Sequence, residues 1–213
     1  MTTPTIQRIK YYLQSSPIAG KGSLPFKVEN MPALSVTVMR LHWEHVADFV
    51  IDDITYKVLK FKGKDDYCVG VVEKTTAAWE APTQFTRVLW ITLAEIPGLA
   101  VLGYPNLRNV NIVSVAEALQ GSTLGRQMYR CLVKVRKFTL LGDLIQFFGA
   151  RRLWARMSQM PDIIVDVIDY DERIIIERDR KIHHGLEDHD FDTALYSYGC
   201  DKAHIRLIMT DVK

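Results

Sequence analysis

Three features of the sequence predict an α/β (α+β) fold. Strand-like segments dominate the first half of the chain, strands and helices alternate in the second, and the 213 residues are 48% hydrophobic and 24% charged. That length and balance suit one well-cored domain. Residues 1–33 are expected to form an N-terminal extension and residues 34–213 the domain itself.

In chain order, Thr5–Gln14 places Ile6, Ile9 and Leu13 on one face and predicts a short helix. Ser15–Pro32, punctuated by glycine and proline, reads as a loop. Leu34–Leu41 alternates at period two, as a half-buried strand does. Between His42 and Asp53 the spacing of Trp43, Val46, Phe49 and Val50 predicts a helix. Ile54–Phe61 and Tyr67–Glu73 read as a strand pair around the polar loop Lys62–Asp66. Gly70 inside the second of these suggests a bulge or a close backbone approach. Trp79–Thr86, with Pro82, is a connector; Arg87–Leu93 is a strand and Leu99–Tyr104 a short one.

The segment Val110–Arg136 carries the chemistry. Val110, Ile112, Val113 and Val115 are nearly continuous β-branched residues, the mark of a strand covered on both faces. Gln120-Gly-Ser-Thr-Leu-Gly125 follows, and Leu124, Met128, Leu132 and Val135 then recur at helical spacing. A loop that ends on a helix N-terminus presents unpaired N–H groups and the positive end of the helix dipole, which suits a phosphate. Beyond it, Phe138–Leu141 is a short strand ended by Gly142-Asp143. Asp143 is placed to cap a helix running to about Met160, with Leu144, Phe147, Phe148, Leu153, Trp154 and Met157 as its stripe and Pro161 as its stop. Asp162–Tyr170 and Arg173–Arg178 read as a hairpin, the tail His183–Asp192 as polar, and Ala203–Met209 as a last strand.

Composition narrows the partners. A net charge of +2 gives no basic signal for nucleic acid. Cys68, Cys131 and Cys200 are far apart and odd in number, which suggests reduced thiols rather than a disulfide framework. No apolar run approaches the roughly 18 residues of a membrane span, and the first residues lack the apolar core of a signal peptide. A cytoplasmic protein, with no membrane partner, is expected.

Val115-Ala-Glu-Ala-Leu-Gln120-Gly-Ser-Thr-Leu-Gly125 resembles the acetyl-CoA signature of the GNAT N-acetyltransferase superfamily, in which a strand ends in an apolar residue followed by Arg or Gln, glycines and a helix. Asp143-Leu-Ile-Gln-Phe-Phe-Gly-Ala-Arg-Arg-Leu-Trp-Ala-Arg-Met157 is similar to the helix after the fifth strand in GNAT-like proteins of bacteriophages. The resemblance spans roughly Val110–Tyr170 and implies a GNAT-like fold, a central mixed sheet flanked by helices and splayed near Val113–Leu119. It also implies an acetyl-CoA (coenzyme A) site. Gln120, Gly121, Ser122, Thr123, Leu124, Gly125 and Arg126 would cradle the pyrophosphate, and the strand edge at Val113, Ser114 and Val115 would pair with the pantetheine arm. The implied activity is acetyl transfer to an amine, including an amine on a protein.

Three positions depart from the family pattern. Thr123 stands where Gly or Ala is usual, Trp154 where a Tyr commonly protonates the departing thiolate, and Phe147 where an Asn often contacts the cofactor. Indole N–H is not acidic enough to serve as that acid. The alternative is therefore a GNAT-fold binding protein without catalysis, such as a phage protein occupying a host factor, or a structural virion component. Glu117 is the candidate base, acting through a water, against the plainer role of a surface carboxylate near a helix start. Tyr129 is expected to pack with its hydroxyl at the surface, Arg151, Arg152 and Arg156 to lie on a solvated helix face, and Trp154 to be core. Cys131 is expected to be buried rather than nucleophilic. His183, His184, Glu187, Asp188, His189, Asp190, Cys200 and His204 are metal-ligating types at spacings that match no zinc pattern, so no metal is assigned.

Overall fold

The computed structural model describes residues 27–62, 67–74, 84–96, 102–142, 148–183 and 205–212. The helix expected at Thr5–Gln14, most of the loop before Pro32, most of the connector around Pro82, and the polar tail after His183 lie outside these residues. Helices and strands both contribute, in keeping with the α+β class. The described residues form two units, one from 27–62, 67–74, 84–96 and 108–137 and the other from 102–107, 138–142, 148–183 and 205–212.

In the first unit a 3-10 turn at Val28–Asn30 leads to β1 (Leu34–Ser35) and helix α1 (Val36–His42). The strand expected over Leu34–Leu41 is thus corrected, and the reason is a cap. Ser35 Oγ accepts from the Val38 N–H at 3.2 Å and starts the helix. Val36 and Met39, three residues apart, then pack against buried Leu34, Trp43, Leu59 and Phe85. Both periods fit this segment; the cap selects one.

The helix expected over His42–Asp53 is likewise corrected, to strand β2 (Trp43–Ile51). Its register against β3 (Ile54–Phe61) shifts between His45 and Ala47. A bulge moves apolar positions off strict alternation, so Trp43, Val46 and Phe49 imitate a helical period. Asp52 and Asp53, with φ of 49° and 62°, make the connecting turn. Positive φ at both central residues is the signature of a I′ hairpin, whose twist matches that of its strands.

The strands β4 (Tyr67–Lys74), β5 (Gln84–Phe85), β6 (Arg87–Glu95) and β7 (Leu107–Val115) follow. β2, β3, β4, β6 and β7 pair in that order through antiparallel ladders, and β5 pairs with β1. Gly70 sits in register between Leu59 and Trp90, and the irregularity expected there falls at Val71/Val72. β7 is not covered on both faces, since Asn111 is exposed and Ile112 is 43% exposed. After it comes helix α2 (Leu124–Arg130), which widens into a π-helical turn at Cys131–Val135. Leu124, Met128 and Leu132 are buried as their spacing requires. Val135 is 57% exposed, a correction to the expected stripe, because a π turn holds more residues and carries Val135 past the buried face.

In the second unit residues 102–104 form a turn in which Gly103 takes φ of 74°, and the rest of the strand expected at Leu99–Tyr104 lies outside the described residues. Its elements are β8 (Thr139–Leu141), α3 (Phe148–Ser158), β9 (Ile163–Asp169), β10 (Ile174–Glu177) and β11 (Ile205–Asp211). β11, last in sequence, lies between β8 and β9 and is antiparallel to both, while β10 folds back on β9. Asp169 Oδ1 holds that hairpin turn by accepting from the Asp171 and Glu172 N–H groups at 3.0 and 2.9 Å. Ser158, buried at the end of α3, donates to the Ala155 carbonyl at 2.7 Å and accepts from the Ile182 N–H at 2.9 Å.

One charge lies deep in this unit. The Asp166 carboxylate, with a side chain only 2% exposed, accepts from Tyr104 Oη at 2.5 Å and from the Asp179 N–H at 2.9 Å, and meets Arg178 Nη1 at 3.5 Å. Burial, reinforced by the Asp166 bond, pushes the Tyr104 hydroxyl well above the ordinary tyrosine range. Asp166 thereby ties the 102–104 turn and the segment after β10 to the middle of β9. Asp166→Ala leaves two part-buried donors, Tyr104 Oη and the Asp179 N–H, without their acceptor and should cost about 2–3 kcal/mol of unfolding free energy, against about 1–2 kcal/mol for Tyr104→Phe, both read from urea denaturation.

Candidate functional site

β7 leaves its ladder abruptly. The Ala116 N–H still donates to the Val88 carbonyl at 2.9 Å, and then the chain turns through a 3-10 segment at Glu117–Leu119. Here the backbone bonds to itself: Leu119 N–H to Ala116, Gln120 N–H to Glu117, and Ser122 N–H to Leu119, at 2.8, 3.2 and 3.2 Å. Gly121 supplies the conformation that ends the turn, with φ of 82°. A Cβ there would meet nothing within 4 Å, so glycine is needed for the backbone rather than for room.

The residues expected to hold a cofactor fall together in this one segment, with different surroundings. Val113 and Val115 are half-buried and pair with Ile91 and Leu89 of β6. Ser114 is buried, its Oγ accepting from the Val28 N–H at 3.1 Å, so its hydroxyl already serves to anchor Val28. Gln120 is exposed and turns its Nε2 back to the Val115 carbonyl at 3.3 Å. That bond braces the strand end; the side chain is a clasp of the loop. Ser122 Oγ accepts from the Leu124 N–H at 3.2 Å, and the Gln127 N–H reaches the Thr123 carbonyl at 2.9 Å. Thr123 itself, at φ −78° and ψ −4°, makes no side-chain cap. Leu124 is buried and anchors the helix start.

What remains is a small set of donors. Among the described residues, the backbone N–H groups of Gly121, Thr123, Gly125 and Arg126 find no acceptor, and the half-buried Arg126 guanidinium meets no carboxylate. Amides at a helix start, with a cation beside them, favour an anion. Glu117 is solvent-facing, its side chain 82% exposed and 4.0 Å from Lys27 Nζ.

Several neighbouring expectations resolve. Tyr129 is 2% exposed, which corrects the surface hydroxyl: three positions before Leu132, its ring lies on the inward face of α2. Cys131 is buried as expected, and burial pushes its thiol up to about 11. In the other unit Trp154 is 1% exposed, as a core residue should be, whereas Arg151 is 3% exposed rather than solvated. Arg151 lies three positions before Trp154, on the inward side of α3; charge alone misassigned its face. Phe147 lies outside the described residues.

One grouping escaped the sequence. The Arg87 guanidinium lies 5.9 Å from the ring centroids of both Trp43 and Trp90, which meet edge to face at 5.7 Å. Desolvation draws the Arg87 pKa down, and the two indole faces stabilise the charge. Only the pairing of β2, β3, β4 and β6 brings these three together, so no spacing in the sequence signals them.

Comparison with protein-family models, with curated proteins and with solved structures finds no match to this chain.

Burial of the Cys131 thiol makes a testable statement about pH. A thiol raised from 9.0 to about 11 stabilises the fold fully below pH 9.0 and loses that contribution as pH rises toward about 11. The urea midpoint should fall across that window, and Cys131→Ala should flatten the fall. Iodoacetamide at pH 8 should leave the native thiol largely unmodified and label it in urea.

Proposed function

We propose that this protein binds acetyl-CoA at the β7–α2 loop and transfers its acetyl group to an amine, an amine on a protein being among the acceptors. The observation that carries the reading is the set of unengaged amides at Gly121, Thr123, Gly125 and Arg126. Two further features support it. The succession strand β7, loop, helix α2, strand β8, helix α3 is the one the GNAT resemblance implies. Arg126 adds a positive side chain to the positive helix end.

Acetyl-CoA supplies a thioester that an unprotonated amine can attack. The chain's part is to hold and orient it: amides and Arg126 on the pyrophosphate, Gly121 supplying the positive φ that ends the turn, Gln120 and Ser122 fixing the loop's shape. In this reading Glu117, which is open to water, is the base and takes a proton from the incoming ammonium through a water. No tyrosine on α2 or α3 offers an acid at the surface. Tyr129 is buried and the residue at the family's acid position is Trp154, also buried. The thiolate is a good enough leaving group to depart and take its proton from water.

Those same two residues favour a second reading, a binding protein that keeps the loop without turnover. Calorimetry with acetyl-CoA, followed by release of free thiol with polyamine and peptide amines, separates the two. Gly125→Glu is the informative variant, because a carboxylate in the first helical turn stabilises the helix yet repels a pyrophosphate. Micromolar binding should weaken by at least roughly tenfold in that variant with its melting temperature kept. Wild-type protein that binds nothing at millimolar coenzyme refutes both readings; binding without thiol release leaves the second.

A further inference from the structure

The grouping of Arg87, Trp43 and Trp90 is assembled by a break in a ladder. Gly70 of β4 faces Trp90, Val71 faces Leu89 and Val72 faces Arg87, so β6 carries one extra residue, Val88. Directly opposed residues share a side of a sheet. Gly70 and Val72 are two apart, so Trp90 and Arg87 lie on one side, whereas strict alternation would send residues three apart to opposite sides. Leu59 of β3 faces Gly70, and Phe61, two further on, faces Trp43, which brings Trp43 to that side as well. The bulge thus turns a cation into an aromatic group.

The guanidinium arrives there with its hydrogen bonds unmade. Arg87 Nε is sealed from water without an acceptor, and among the described residues the group meets no carboxylate. The two indoles turn their faces to the charge, yet an indole accepts none of its N–H donors. Lys57 and Asp48, in the row that contains Val72, are occupied with each other at 3.5 Å. A desolvated cation whose donors stay unmade is costly, and an acceptor brought to it recovers that cost. Arg87, Trp90 and Phe61 are each half-buried, so the grouping can be reached from solvent.

The chemistry selects the ligand. A guanidinium fork matches a planar oxyanion with two acceptors. One unpaired positive charge calls for one negative charge, and beside aromatic rings a monoanion costs less to desolvate than a phosphate dianion. Trp43 stands between Phe61 and Trp90, at 5.3 and 5.7 Å, so the cation adjoins a continuous aromatic wall. We infer that Arg87 binds a monocarboxylate with an apolar body, the carboxylate on the guanidinium and the body against Trp90 and Phe61. This site shares no residue with the β7–α2 loop and does not rest on the function proposed for it.

Phenylacetate is the first probe, titrated into the full chain while the tryptophan indole N–H signals are followed by NMR. Those of Trp43 and Trp90, identified through single Trp→Phe variants, should shift and saturate with a dissociation constant on the order of 1 mM, as ordinary ligand efficiency gives for so small a probe. The Trp154 signal, from a residue 1% exposed in the other unit, should stay in place. Phenylacetamide, of the same shape without the charge, should bind at least about tenfold more weakly. Arg87→Met keeps the stem and removes the fork, so it should abolish the response with the melting temperature held or raised, since a desolvated charge is gone. Arg87→Lys, a point charge without the fork, should weaken binding about tenfold. N-acetylphenylalanine binding more tightly than phenylacetate marks a chain terminus as the source of the carboxylate; the reverse order marks a free small acid. Four results overturn the inference: no shift of Trp43 or Trp90 at saturating probe, equal binding of phenylacetamide, tighter binding of inorganic phosphate than of either acid, or a response that survives Arg87→Met. A melting temperature that falls in Arg87→Met while binding persists would leave the cation with a purely structural role.

Discussion

The exit of the chain from the sheet after Val115 is the constraint that shapes the candidate site. A backbone that leaves a ladder must satisfy its polar groups some other way, because burying them unpaired is costly. Here the residues from Ala116 to Ser122 bond among themselves, Gln120 returns to the Val115 carbonyl, and Ser122 covers the first amide of the helix. The local solution uses up the carbonyls first. The amides of Thr123, Gly125 and Arg126 are left over at the helix start, so the donor set is a by-product of how the turn closes.

The two units bury charge by different physics. Asp166 is an anion met by three donors, a hydroxyl, an amide and a guanidinium, and the geometry fixes where the adjoining segments run. Arg87 is a cation set against aromatic faces, Trp43 and Trp90, where the attraction is less directional. The first arrangement locates chain segments. The second lets a partly desolvated charge sit on an otherwise apolar cluster.

Much of the fold was legible wherever one period dominated. The strands at Ile54, Tyr67, Arg87, Val110, Phe138, Asp162, Arg173 and Ala203 all appear near their expected positions. The failures cluster where a local device overrides the period. At Val36 a serine cap converted an alternating segment to helix, and at Val46 a bulge made a strand look helical. The cofactor segment was legible as a contiguous motif, but the roles within it were not. That Ser114 and Gln120 spend their side chains on Val28 and Val115 depends on contacts that no spacing encodes. Arg151 was misplaced because charge is a poor guide to face when a guanidinium can lie along a packed helix.

The π turn at Cys131–Val135 winds more residues into a turn than the α-helix before it. Each added residue would otherwise swing everything beyond it by about 100°. Leu124 and Met128, in the α-helical turns before the π turn, and Leu132 at its start lie inward, and the changed phase shows at Val135, which is 57% exposed. A chain shortened by one residue in this turn would rewind to an ordinary helix with its first two turns unmoved, so the length of this segment is adjustable without disturbing the loop that precedes it.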